Sequence, residues 1–560
     1  MTDWVNGKFI VLFPKNFLPM SAYTRLLLVC VSLAGLIGCS DDPQQDSNIR
    51  SRGFVYCGQD KPTTFNPQLI DGGLTADTLA AQLFDRLLLL DPVSHQPLPS
   101  LADGWSTSDD GLVYTFTLRD GIEFQTTDWF KPTRQFNAQD VVFSFKRVIQ
   151  PEHPFHAISG GRYPWFDSQG FASLIEDIEV VDPLTVRFTL SRPDNAFLSN
   201  LATTYAVIHS QEYAEQTLHA GKPDQLDSLP VGTGPFYLDS YQANDFVRLN
   251  RHEGYWQGQA LMEQVVFDIA SRGTGTLAKL LSNECDVLSS PVASQLPIIS
   301  DDEDFNLNAQ TGMNVAFLAL DSNQPELSDI RVRRAINHAI NRENLLNSVY
   351  YGTGTKARSL LPPMSWAYNH GSQALDYDPT KALALLKEAG YDKNLTLTLW
   401  VPLEPRPYNP SPRKTAELIQ ADLNAVGVKV DIITQDTVSR FSAIDKYNSD
   451  LILTGWIADN GDPDNFLRPL LSCDAKKAGL NVANWCNLSF DNLLELASRT
   501  PKLNQRLNYY HLAQDILDTE VPIVPLAHGV HFQVHHKSLK GLQMSPFGTR
   551  SFSTVFRSEI

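Results

Sequence analysis

Apolar and polar residues alternate along Tyr114-Thr-Phe-Thr-Leu118, with Phe116 and Leu118 on one face, and Thr185-Val-Arg-Phe-Thr-Leu190 repeats the pattern. A period of two predicts half-buried strands. The period lengthens after Phe136, where Asn137 can cap a helix carrying Val141, Val142 and Phe145 at helical spacing. A long helix is predicted from Asp329 to Tyr350, with Ala335, Ile336, Ala339 and Ile340 in one stripe. Asp378-Pro379 opens another, which runs through Leu386 and stops at Gly390. Ala416–Val426 carries Leu418, Ile419, Leu423 and Val426, ends at Gly427 and passes into the strand Val428-Lys-Val-Asp-Ile432. That helix–glycine–strand order is an α/β unit. Leu451-Ile-Leu-Thr454 reads as a short buried strand leading into Gly455-Trp456. The fold class is α/β, with mixed sheets and more than one lobe, and 560 residues suit three or four domains or lobes.

The apolar run Leu26–Gly38 falls short of the ~20 residues of a membrane span and follows Arg25, the pattern of a secretory leader. It ends Leu36-Ile37-Gly38-Cys39, which resembles the lipobox of bacterial lipoproteins and makes Cys39 the expected lipidation site. Met20 is a more conventional start than Met1, so 1–38 is read as signal peptide and 1–19 as a mis-assigned start. Residues 39–52 are polar and read as a tether. The mature chain is expected in the periplasm, held to a membrane through its lipid. Four cysteines remain there: Cys57, Cys285, Cys473 and Cys486. An even number in an oxidising compartment suggests two disulfides, with three connectivities open. Cys473 and Cys486 suit a local loop, which leaves Cys57 for Cys285. A zinc site would need clustered spacing such as Cys-x-x-Cys, which is absent.

A composition 42% hydrophobic with 9 Trp, 18 Tyr and 29 Phe excludes global disorder. A net charge of −18, with no Lys/Arg-rich run, argues against nucleic acid as a partner. Catalytic signatures are missing: no His-Glu-x-x-His, no Gly-x-x-x-x-Gly-Lys-Ser/Thr and no Gly-x-Ser-x-Gly. Ser411-Pro-Arg-Lys414 fits Ser-x-x-Lys without its companion motifs, and Pro412 at a helix start explains it better. His535 and His536 are neighbours in a strand-like stretch, so they point to opposite faces and do not easily share a metal. No enzyme, cofactor or metal is expected, and an extracytoplasmic hydrolase is the disfavoured alternative.

Four segments in register carry a resemblance. They are Leu118-Arg-Asp-Gly-Ile-Glu-Phe124 followed by Phe136-Asn-Ala-Gln-Asp-Val-Val-Phe143; Pro230-Val-Gly-Thr-Gly-Pro-Phe236; Leu327-Ser-Asp-Ile-Arg-Val-Arg-Arg-Ala335; and Gly455-Trp-Ile-Ala-Asp-Asn-Gly-Asp-Pro-Asp464. Together they resemble the family-5 solute-binding proteins of peptide ABC importers, over about 53 to 556. Thr127-Asp-Trp-Phe-Lys-Pro-Thr-Arg134, Gly275-Thr-Leu-Ala-Lys-Leu-Leu281, Glu284-Cys285-Asp286 and Arg251-His252 are most similar to the Sap-type members, with dipeptide-binding members nearly as close. The resemblance implies a type II binding protein of the large peptide-binding class, two lobes hinged around a peptide. Lobe one would comprise 53–95, 231–312 and 528–560, with an extra α/β domain at 96–230, and lobe two 313–527. It also implies the pairs Cys57–Cys285 and Cys473–Cys486, a monomer, and an inner-membrane permease with its ATPase subunits as partners. Sap-type relatives bring cationic antimicrobial peptides, and others haem or nickel complexes, as alternative ligands.

A short peptide sealed in a cleft loses water from its ammonium and its carboxylate, so each end must meet an opposite charge. Two extended residues span at most about 7 Å, so fixed end-readers at that separation select dipeptides. By resemblance the acid is Asp459, in the Gly-Trp motif, and the base is Arg406, in Arg406-Pro-Tyr-Asn-Pro410, with Tyr408 and Trp456 lining side-chain pockets. Arginine's planar fork suits a carboxylate, and aspartate accepts ammonium hydrogen bonds. Asp462 and Asp464 are read as capping the following helix, and the loop lacks the register and terminal Glu of a calcium-binding EF-hand.

Overall fold

Three main sheets organise the chain in the computed structural model, which describes residues 49–58, 61–70, 72–270, 273–372, 376–391, 395–435 and 449–558. The leader, Cys39 and most of the tether lie outside the described residues. The first sheet has seven strands, in the order Phe305–Thr311, Val530–His536, Val287–Ser289, Gly53–Cys57, Gln264–Asp268, Phe246–Arg251 and Phe236–Gln242. The second has six: Thr355–Lys356, Ile523–His528, Asn314–Leu320, Leu451–Ile457, Leu395–Pro402 and Val428–Gln435. A four-stranded antiparallel sheet, Ala102–Thr107, Val113–Leu118, Thr185–Leu190 and Ile175–Asp182, is inserted between strands of the first. Arg52–Ile560 packs as one unit.

Local chemistry explains several helix boundaries. Asn137 accepts from Gln139 N at 2.9 Å and Asp140 accepts from Asn137 N at 3.0 Å, closing a capping box on helix Ala138–Ile149. Asp378 caps helix Pro379–Glu388 through Lys381 N at 2.9 Å, and Gly390 follows with φ 90°. The single helix expected over 329–350 is instead two, Ile330–Ala339 and Arg342–Val349. Ile340 is extended, and the Asn341 side chain caps the second helix through Asn344 N at 3.0 Å. Asn341 N is drawn to Asp422 at 2.8 Å, and Arg342 spends its guanidinium on the Pro525 carbonyl at 2.6 Å. A continuous apolar stripe hid a break made by side-chain capping.

The chain crosses between the first two sheets twice, at 312–313 and at 529, and the crossings are tied together. Asn314 donates to Gly529 O at 3.0 Å and accepts from Gly529 N at 2.8 Å. A Cβ on Gly529 would stand 2.0 Å from the Pro407 carbonyl oxygen, so only glycine fits. Cys57 is joined to Cys285 and Cys473 to Cys486, with Cα separations of 6.0 and 4.7 Å. The first bridge crosses adjacent parallel strands of the first sheet, where Tyr56 pairs Val287.

Candidate functional site

Leu395–Pro402 and Leu451–Ile457 are parallel neighbours in the second sheet. Their following loops therefore leave from the same edge. One carries Arg406 and the other Asp459. Ligands in open α/β sheets bind outside the carboxyl ends of strands, which is where this topology puts both candidates.

The Arg406 loop is held by its own backbone and by neighbours. Arg406 N donates to Asn409 O at 3.0 Å and Asn409 N to Arg406 O at 2.8 Å, a tight turn around Pro407 and Tyr408. The Tyr350 hydroxyl donates to Tyr408 O at 2.5 Å. The Arg406 guanidinium reaches Asp77 of the first-sheet half, Nη1 to Oδ2, at 3.6 Å. Asp77 sits on a single π-helical turn, Thr75–Leu79. Both line a cavity of about 110 Å³ with Tyr56, Ser290, Ile457 and His531, so the two halves contribute walls to one space. Burial pushes the His531 imidazole down to about 4, which keeps it neutral.

Asp459 lies two residues beyond Ile457 and is half-buried. Its Oδ2 accepts from Trp165 Nε1 at 2.8 Å and from Asn465 Nδ2 at 3.1 Å. Trp165 belongs to the inserted 96–230 segment, is 1% exposed and stacks on Tyr205 at 5.1 Å. Asn465 Oδ1 accepts from Asp459 N at 2.9 Å and from Trp456 Nε1 at 3.2 Å. Trp456 is thus a core side chain that orients Asn465. Tyr408 is packed on the second-sheet core, its ring against Gly455, where a Cβ would stand 2.3 Å away. Asp462 accepts from Asp464 N at 3.0 Å, from Arg506 at 2.6 Å and from Tyr510 at 3.1 Å, and Asp464 pairs with Arg468 at 2.6 Å. Both support the start of helix Asp464–Leu471.

Each candidate end-reader therefore has a partner from outside the second sheet: Asp77, which follows the first-sheet strand Gly53–Cys57, for Arg406, and Trp165 of the inserted segment for Asp459. Further contacts join the same halves. Asn460 donates to Asn200 at 2.9 Å, Arg192 pairs with Glu495 at 3.0 Å, and the Asn195 amide donates to the carbonyls of Ser498 and Thr500 at 2.7 and 2.9 Å. Sequence reasoning missed Asp77, Trp165 and Asn465. The first two are far from the motifs in the chain and carry no local signal. Asn465 lies six residues beyond Asp459, and its position one past Asp464 was the available hint.

The sequence profile of the bacterial extracellular solute-binding proteins, family 5 (middle region), matches residues 96–478. The chain belongs to that family. It is 46% identical over 538 residues, 96% of this chain and 98% of the relative, to the peptide transport periplasmic protein SapA of Salmonella typhimurium. It is 38% identical over 509 residues, 91% of this chain and 95% of the relative, to the dipeptide-binding protein of Escherichia coli. Among solved structures, a dipeptide-binding protein from Pseudoalteromonas in complex with Met-Leu superposes with a TM-score of 0.88 at 41% identity, covering 90% of this chain and 100% of that one. The fold is accordingly the two-lobed α/β architecture of such binding proteins. No helix among the described residues is long and apolar enough to cross a membrane, and no group of three or more His, Cys, Asp or Glu among them could hold a metal ion.

Proposed function

We propose that this family-5 protein is the periplasmic substrate-binding component of a peptide ABC importer. It closes its lobes on a short peptide, with the ammonium at Asp459 and the carboxylate at Arg406, and hands the peptide to an inner-membrane permease driven by ATPase subunits. The observation that carries the reading is the shared edge of two parallel strands, from which both charged loops emerge. It agrees with the peptide-transport and dipeptide-binding names of relatives that match almost the whole chain. Binding without turnover, a monomeric state and a lipid anchor at Cys39 complete the proposal.

Binding energy here comes from two charge-assisted contacts, each worth about 1.5–3 kcal/mol. Isothermal titration with a dipeptide is expected to show losses of about tenfold or more in both Arg406→Ala and Asp459→Asn. The asparagine keeps an oxygen for Trp165 while removing the charge. Wild-type affinity in both variants would refute the end-reading site.

A further inference from the structure

We infer that Asp77 makes the carboxylate end of the cleft selective for peptides whose carboxy-terminal residue carries a basic side chain. The inference rests on the reading of Arg406 as the carboxylate contact and specifies what that contact accepts.

The argument starts from the ion pair. Arg406 has Asp77 at 3.6 Å, on a cavity wall from the opposite lobe, so the guanidinium assigned to the ligand's carboxylate stands beside a protein carboxylate. Apart from two tyrosines, Asp77, Arg406 and His531 are the ionisable groups among the described residues lining that cavity. With the imidazole neutral, the lining sums to zero before a ligand enters. A peptide tail arriving at Arg406 then leaves two carboxylates around one guanidinium. Like charges in a partly desolvated space repel, and a third charge, positive, restores the balance.

The ligand can supply that charge itself. In a carboxy-terminal lysine or arginine the side chain springs from the carbon that bears the carboxylate. While Arg406 holds the tail, a flexible basic stem can reach the neighbouring Asp77. A carboxy-terminal glutamate adds a third anion and is rejected by the same arithmetic. Asp77 is well placed for such work. Its side chain is 41% exposed and that of Arg406 28%, so their pair is loosely held and open to exchange. Its N–H is fixed by the Gly73 carbonyl at 2.8 Å, which anchors the turn that presents the side chain to the cavity.

The test is isothermal titration of Ala-Lys, Ala-Ala and Ala-Glu into the full mature protein and into Asp77→Asn. The wild type is expected to bind Ala-Lys about 3–10-fold tighter than Ala-Ala, and Ala-Glu weaker than Ala-Ala by a similar factor. In Asp77→Asn the spread between Ala-Lys and Ala-Glu should shrink to within about twofold, and Ala-Ala, relieved of a second carboxylate beside its own, should bind tighter. Equal wild-type affinity for Ala-Lys and Ala-Glu overturns the role of Asp77, as does a spread that survives the substitution. Both leave the dipeptide reading standing if Ala-Ala binds and Arg406→Ala weakens it by about tenfold or more. If none of the three peptides binds the wild type, the dipeptide reading fails and this inference with it.

Discussion

At the scale of single residues, the candidate site depends on buried side chains that hold the candidate residues in place. Asn465 is 1% exposed, and its side chain makes three hydrogen bonds, all to Asp459 and Trp456. Asn465→Ala would strand the Asp459 N–H and the Trp456 indole N–H and remove one of the donors that hold the Asp459 carboxylate, leaving that of Trp165. Each unsatisfied buried donor costs about 1–3 kcal/mol, so a stability loss of about 2–6 kcal/mol is expected from the two. Peptide affinity should fall about tenfold, measured by titration at a temperature where circular dichroism shows the variant folded. Native affinity in the folded variant would show that Asp459 needs no such support, or plays no part. Asp459 and Arg406 could be named as candidates from the sequence only because their motifs resemble those of dipeptide-binding relatives. Their partners Asp77 and Trp165 could not, because contacts across a cleft leave no periodicity in the chain.

At the scale of elements, legibility followed the chemistry of the ends. Asn137, Asp378 and Gly390 mark helix boundaries through a few local hydrogen bonds, and the strands around Phe116 and Phe188 announced themselves by alternation. The break at Ile340 was illegible because the apolar stripe continues across it, while the cause lies in Asp422 and Pro525, distant in sequence. The crossing strand Ile523–His528 ends on a residue with its own consequence. His528 Nδ1 lies 2.7 Å from the Asn314 carbonyl oxygen, a donor's position, and burial pushes the imidazole down to about 4. The folded state therefore binds this proton less readily than the unfolded chain, whose histidine titrates near 6.5. The stability His528 contributes is whole above about pH 6.5 and is lost as pH falls towards 4. Histidine NMR titration, assigned with His528→Asn, should show this ring neutral down to about pH 5. A midpoint near 6.5 would contradict its burial beside Asn314.

At the scale of the whole molecule, closure is the event that the sheets, crossings and inserted segment serve, and a contact far from the cavity reports on it. The last carbonyls of a helix have no partner within the helix. At the end of helix Leu488–Arg499, the carbonyls of Ser498 and Thr500 are taken by the Asn195 side chain, which follows strand Thr185–Leu190 in the inserted segment. These bonds join the inserted segment to the second-sheet half, so they favour a state in which the two are in contact, independently of the cavity. A ligand that binds the closed state inherits that bias through the closed fraction of the free protein. Asn195 is exposed, so its two bonds are worth about 0.5–1.5 kcal/mol together, and the backbone bond from Asn195 N to Ser498 O at 2.8 Å survives truncation. Asn195→Ala should weaken peptide binding about 3–10-fold, mostly through faster release in stopped-flow measurements, with the cavity unaltered. Small-angle scattering of the unliganded variant should show a larger radius of gyration than wild type. Affinity and radius both equal to wild type would mean that the lobes close by the cavity contacts alone, and that the Asn195 cap follows closure rather than helping to drive it.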